Sequence, residues 1–223
     1  MLARQRRCRP ARRFAALASA RVKMLQRRAQ RSLPVDRKGL TAWNGLALSA
    51  LASAYAASGD TAYVTQAEAL VSFILERWWD GKRLVRAVQG EEVLAPATLE
   101  DYALVAQGLW DWRRQKLASV DQRVIEQMVR SAWQRYFVDD RWVMSDAALI
   151  PMLDERIALE DGALPSVTAV IVDLSRQLQG LRDDAGIQKK VRIHLQQVRT
   201  RLSDSAYWYA GYLGLLAADQ PLR

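Results

Sequence analysis

The chain has 223 residues, half of them apolar, enough for one domain with a sizeable core, and no apolar run approaches the ~20 residues that a membrane-spanning helix needs. The formal charge of +9 is concentrated at one end: residues 1–38 hold 13 Lys and Arg against the single acid Asp36, whereas residues 39–223 hold 20 bases and 23 acids. No aromatic residue sits among the arginines before Phe14, so the basic leader lacks a base-stacking platform and nucleic-acid binding is not the expected main task.

In chain order, residues 1–12 read as a disordered basic leader and residues 13–223 as one helical domain. Phe14, Ala18, Val22, Leu25 and Ala29 recur every three or four residues and predict a helix with Lys23, Gln26, Arg27 and Arg31 on its far side. That pattern continues past the short, alanine-rich Phe14–Ala20 stretch, which argues against a signal peptide, while the Arg-rich, acid-poor start also resembles a mitochondrial presequence. Leu33-Pro34 ends the helix, and a polar loop over Asp36–Gly39 leads to a helix running from Thr41 to Ala57. Ser58-Gly59-Asp60 closes it and caps the next, which reaches Trp78-Trp79. Arg83–Val88 and Glu91–Ala95 read as two short strands around Gln89-Gly90. Thr98 and Asp101 have the spacing of a capping box for a helix to about Lys116, and Ser119 with Gln122 offers a second box for a helix to Tyr136-Phe137. A short strand at Arg141–Met144 precedes a long loop, Ser145–Leu164, a length often associated with function. Three more helices follow, at about Ser166–Gln179, Ala185–Leu202 and Asp204–Ala218.

These elements repeat. Asn44 to Asp101 spans 57 residues and Asp80 to Asp139 spans 59, each unit reading helix, turn, helix with two terminal aromatics, acidic turn, strand. Such periods indicate stacked helical hairpins, either an α-solenoid or an α/α toroid, and the short strands at one rim favour the toroid. The expected fold class is all-α: helical hairpins forming a partial α/α toroid, with short β-hairpins at one rim.

Three peptides carry a resemblance: Thr41-Ala42-Trp43-Asn44-Gly45-Leu46, Leu99-Glu100-Asp101-Tyr102-Ala103 and Asp161-Gly162-Ala163-Leu164-Pro165-Ser166. In order and spacing the chain resembles the helical portion of the YyaL and spermatogenesis-associated protein 20 family, from about Phe14 to Gly180 and more faintly to Ala218. That resemblance implies a six-hairpin, glycosidase-like toroid, which in the family follows a thioredoxin-like domain. It also implies that each unit's first helix starts at a central cleft. The departures are specific. Asp36-Arg37-Lys38 replaces a paired-aspartate signature, Pro165-Ser166-Val167-Thr168-Ala169 replaces Pro-Ser-Gly-Asn-Ser, and the thioredoxin-like half and first toroid helices are not in the chain. The Arg-rich leader has the composition of a shifted frame through GC-rich DNA, so a truncated reading frame without catalysis of its own is the expectation.

The cleft-lining candidates follow from the resemblance. Asp101, Glu160 and Asp161 are the candidate catalytic carboxylates, since glycoside chemistry needs two roughly 5–9.5 Å apart. Trp43, Asn44, Tyr102 and Ser166 are the candidate substrate-binding residues. Each has a plain structural alternative. Asp101 caps a helix, Asn44 caps another with Trp43 packed as a staple, and Glu160 and Asp161 end a solvated loop. Glu100 lies about 100° around the helix from Asp101, so only one of the two faces inward.

His194, between Ile193 and Leu195, reads as a surface or boundary residue, and a lone histidine argues against epimerase-type acid/base pairs. The lone Cys8 permits no intramolecular disulfide, Cys-based metal cluster or Cys-x-x-Cys exchange, so a cytoplasmic protein without metal or cofactor is expected. Three functions compete: a fragment-like family member, a carbohydrate-active enzyme, and a helical scaffold that docks a protein through Tyr207, Trp208 and Tyr212.

Overall fold

A computed structural model describes residues 10–32, 34–115, 120–145 and 159–217, in two compact units, Met1–Arg37 and Lys38–Arg223. The first unit is a helix, α1 (Pro10–Ala29). It begins three residues earlier than the boundary read from the sequence, because proline at a first helical position has its φ preset and lacks only an amide that would go unpaired there. Its apolar stripe of Phe14, Leu17, Val22 and Leu25 is exposed.

The second unit opens with β1 (Gly39–Leu40) and α2 (Thr41–Ser58), then α3 (Thr61–Phe73), which ends in a π turn over Ile74–Trp78. β2 (Val85–Gln89) and β3 (Glu92–Pro96) form the expected hairpin. β1 adds to its edge, Gly39 opposite Val88 and Leu40 opposite Ala87. Two residues are too few to show an alternation, so the sequence reads β1 as loop. The helices α4 (Leu99–Arg113) and α5 (Gln122–Tyr136) follow. Asp121, not Ser119, caps α5, accepting the Arg123 amide at 3.0 Å; Ser119 lies outside the described residues. β4 (Phe137–Val138) and β5 (Arg141–Trp142) close on Asp139 and Asp140, both at positive φ, the conformation a two-residue hairpin turn requires. Most of the long loop, residues 146–158, is likewise outside the described set. Beyond it come α6 (Val167–Gln177), α7 (Gln179–Arg182), α8 (Ala185–Ser205), a 3₁₀ turn (Ala206–Tyr209) and α9 (Ala210–Ala217).

Cross-helix pairings give the architecture. Ala42 meets Asp101, Gly45 meets Leu104 and Leu48 meets Gly108, so α2 and α4 run parallel. Trp110 meets Gln177 and Thr168 meets Tyr212, extending the parallel row to α6 and α9. Between these inner helices the chain returns through α3, α5 and α8. Their buried faces supply the outer half of the core, including Trp133, Tyr136 and Val198. Three hairpins and the first helix of a fourth therefore stand side by side with all inner helices pointing one way. This is a partial α/α toroid.

The tightest contact is between α2 and α4. A Cβ on Gly45 would lie under 3.0 Å from the Leu104 carbonyl, and one on Gly108 equally close to the Gly45 carbonyl. Only glycine permits that backbone approach. Buried aromatics fill the layer between inner and outer helices. Trp112 reaches Glu68 on α3 at 2.6 Å, Trp133 reaches Ser175 on α6 at 2.8 Å, and Trp142 packs on Trp133 with centroids 4.5 Å apart. Each indole thus buries a large apolar area while its N–H finds an acceptor, except at Trp142, whose buried N–H has no partner among the described residues.

Candidate functional site: the starts of the inner helices

The three signature peptides lie at the same end of neighbouring parallel helices: Thr41–Leu46 opens α2, Leu99–Ala103 opens α4, and Asp161–Ser166 leads into α6. What holds them there is a pair of aspartates. α2 has no capping side chain of its own, since Leu40 occupies the cap position. Its orphan amide at Ala42 is instead accepted by Asp101 Oδ1, at 3.1 Å, from the neighbouring helix. The other oxygen, Oδ2, accepts the Thr98 amide at 2.8 Å and the Thr98 hydroxyl at 3.0 Å, closing the start of α4. Arg86 from β2 stands 3.9 Å from the same oxygen and donates to Thr98 Oγ1 at 2.8 Å. Burial pushes the Asp101 carboxyl above its ordinary range, against the pull of these donors and of Arg86.

Asp161 repeats the device one helix further on. Its Oδ1 accepts the Ser166 amide at 2.9 Å, at the start of α6, and its Oδ2 accepts the Gly211 amide at 2.8 Å, in the first turn of α9. Each carboxylate therefore satisfies unpaired amides on two inner helices at once. For Asp161→Ala we expect a loss of about 2 kcal/mol, since two amides are left without their acceptor. Hydrogen exchange should quicken in α9 and the start of α6 and stay unchanged in α2; uniform protection throughout would contradict this role.

The other candidates are placed as follows. Trp43 is 64 % exposed beside the Asp101 clamp. Asn44 lies inside the first turn of α2, donating to the Leu40 carbonyl at 2.8 Å, so it braces the helix start without occupying the cap. Tyr102 is buried, and its hydroxyl accepts the Leu84 amide at 3.1 Å, tying α4 to the strand region. Ser166 is the buried cap of α6, accepting the Ala169 amide at 3.2 Å. Glu160 is half-buried.

Two expectations need correction. His194 is a core residue, 1 % exposed, because the turn after α8 folds α9 across it. Its Nε2 meets the Tyr212 hydroxyl at 2.7 Å; that hydroxyl meets Thr168 Oγ1, which stands 3.1 Å from Ser166 Oγ. Burial, helped by the Arg201 charge, pushes the imidazole down to about 3, so it is neutral. Tyr212, read as part of a docking face, is fully buried in this network. Tyr207 and Trp208, at 80 % and 44 % exposed, remain outside.

A set that the sequence reading passed over lies along the inner helices. A cleft of about 520 Å³ runs between α6 and α9, reached by Gln107 from α4. Gln107 donates to Asp111 at 2.8 Å, Gln177 donates to Asp173 at 2.7 Å, and the Trp110 indole donates to Gln177 at 2.8 Å. The signal available was the Gln/Asp pairing at i, i+4 in two successive inner helices, the spacing that places such side chains on one face. Among the described residues, no group of three or more His, Cys, Asp or Glu side chains is arranged to hold a metal, and no helix is long and apolar enough to cross a membrane.

No protein family and no curated protein matches the chain. Among solved structures, cellobiose 2-epimerase from Spirochaeta thermophila DSM 6192 is similar in fold, with a TM-score of 0.58 at 16 % identity over 76 % of this chain. The match spans 46 % of that enzyme, an α/α toroid, so the chain corresponds to about half of such a ring.

Proposed function

We propose that this chain is a saccharide-binding, non-hydrolytic segment of a glycosidase-like toroid of the YyaL and spermatogenesis-associated protein 20 type. The observation that carries the reading is the commitment of Asp101 and Asp161. Both oxygens of each accept backbone amides that hold neighbouring inner helices together. Glycoside cleavage needs one carboxyl to protonate the leaving oxygen and a second to act as nucleophile or base. An oxygen already engaged in holding a backbone amide is poorly placed for either task. The toroid supports a saccharide as the ligand class, since the similar structure is named for cellobiose, and the exposed Trp43 offers an aromatic face of the kind that sugars stack on.

The test is to add cellobiose and, separately, maltose to the purified chain and follow one-dimensional NMR spectra. Saturation transfer to the sugar without new anomeric signals is the expected result. New product signals that vanish in Asp101→Asn would replace this reading with that of a carbohydrate-active enzyme. Absence of saturation transfer from either sugar would remove the saccharide. A second reading, protein docking at the end of the chain, is favoured by the adjacent exposed rings of Tyr207 and Trp208, 5.2 Å apart. It predicts concentration-dependent self-association or partner capture lost in Trp208→Ala, whatever sugars do.

A further inference from the structure

Resting on the saccharide reading, we infer that the ligand seat is the cleft between α6 and α9, and that it takes a neutral sugar. At about 520 Å³ the cleft falls within the ~300–1,000 Å³ range of small-molecule sites. Its floor is apolar, formed by Ala169, Val170 and Leu215. Glycines at 211 and 214 keep the α9 wall low; a Cβ on Gly214 would meet nothing within 4 Å.

The polar edge is fixed in advance. Gln177 is held at both ends of its amide: the oxygen accepts the Trp110 indole and the nitrogen donates to Asp173 Oδ2. Gln107 is held at its nitrogen, which donates to Asp111 Oδ1. Among the described residues, Asp173 Oδ1 then accepts no hydrogen bond, so this carboxylate on the lining keeps one oxygen for a donor from outside. Neighbouring hydroxyls of a sugar are such donors. The apolar floor suits the C–H face of a pyranose.

Charge decides between sugar classes. One carboxylate, Asp173, and one cation, Arg176, line the cleft, and Arg176 donates Nη1 to the Leu215 carbonyl at 2.8 Å. With Asp173 set against Arg176 the lining carries no net charge, so a phosphorylated sugar or a uronate would lose its hydration without a net counter-charge, whereas a neutral sugar brings only hydroxyls to the Asp173 acceptor.

The experiment is calorimetric titration of the full chain with cellobiose, maltose and the anionic analogue cellobiouronic acid, on wild type and two variants. Asp173→Asn with Gln177→Leu removes the fixed acceptor pair. Gly214→Leu fills the cleft from a position with open space around it, so it leaves the fold intact. We expect a neutral disaccharide to bind wild type, with at least tenfold weaker binding of the anionic analogue. Each variant should lose at least tenfold in affinity while keeping the wild-type thermal midpoint. Wild-type binding that both variants retain would overturn this seat while leaving the saccharide reading standing. Equal binding of the anionic analogue would overturn the charge argument. Failure of both neutral sugars to bind wild type would end the saccharide reading itself.

Discussion

Replacing Gly45 by alanine is expected to destabilise the protein by about 3 kcal/mol, in the range known for overpacked cores. In the abstract, a glycine-to-alanine change inside a helix is favourable by about 0.8–1 kcal/mol. The two effects oppose each other, and contact geometry settles the sign. A methyl group at Gly45 has to occupy space held by the main chain of Leu104, which cannot swing aside as a side chain can. α2 and α4 must then separate along their whole shared length. At roughly 2–4 °C per kcal/mol for a domain of this size, the thermal midpoint should fall by about 6–12 °C. Gly162→Ala, where nothing lies within 4 Å, is the control and should melt with wild type. A Gly45→Ala protein that melted at or above the wild-type temperature would mean that the inner helices do not touch in this way.

Acid should destabilise the chain through His194, its one histidine. The folded state holds the imidazole neutral, at a pKa of about 3, against about 6.5 when unfolded. A folded-state pKa below the unfolded one means stability that is complete above pH 6.5 and drains away as pH falls toward 3, because only the unfolded chain takes up the proton. The slope approaches about 1.4 kcal/mol per pH unit, so roughly 2–3 kcal/mol should go between pH 6.5 and 4.5. Asp101 acts in the opposite sense. Its raised carboxyl pKa makes the buried anion unfavourable, and that cost is relieved as it protonates. Urea titrations at pH 6.5, 5.5 and 4.5 measure the net effect. His194→Gln keeps an acceptor near the Tyr212 hydroxyl and should cut the loss to under about 1 kcal/mol. An unchanged acid slope in that variant would assign the pH response to other groups.

Much of the fold was readable from local rules. The helices show periodic apolar faces, Gly59 and Asp60 stop one and cap the next, and Gln89-Gly90 marks the rim hairpin. The 57- and 59-residue spacings of Asn44–Asp101 and Asp80–Asp139 gave the repeat, and the repeat gave the parallel inner helices. The spacing of Thr98 and Asp101 also announced a helix start. It could not announce that the second oxygen of Asp101 serves Ala42, 59 residues away, because that bond depends on two helices lying side by side. His194 failed for the same reason. On its own helix it sits beside the half-buried Ile193, and its burial comes from α9, which crosses it only because the chain reverses through the 3₁₀ turn at Ala206–Tyr209. The cleft was missed because glutamine and aspartate at i, i+4 look like any solvated helix face until two such faces are set against one another.

One consequence of the unidirectional inner row is electrical. Every peptide dipole in α2, α4, α6 and α9 points the same way, so partial positive charge lines the inner layer at the end where these helices start, while the returning helices α3, α5 and α8 bring their negative ends to the outer layer. Asp101 and Asp161 stand at that end as its counter-ions, each between two helix ends. A protein stripped of both would have four like poles in a line with no carboxylate set between them.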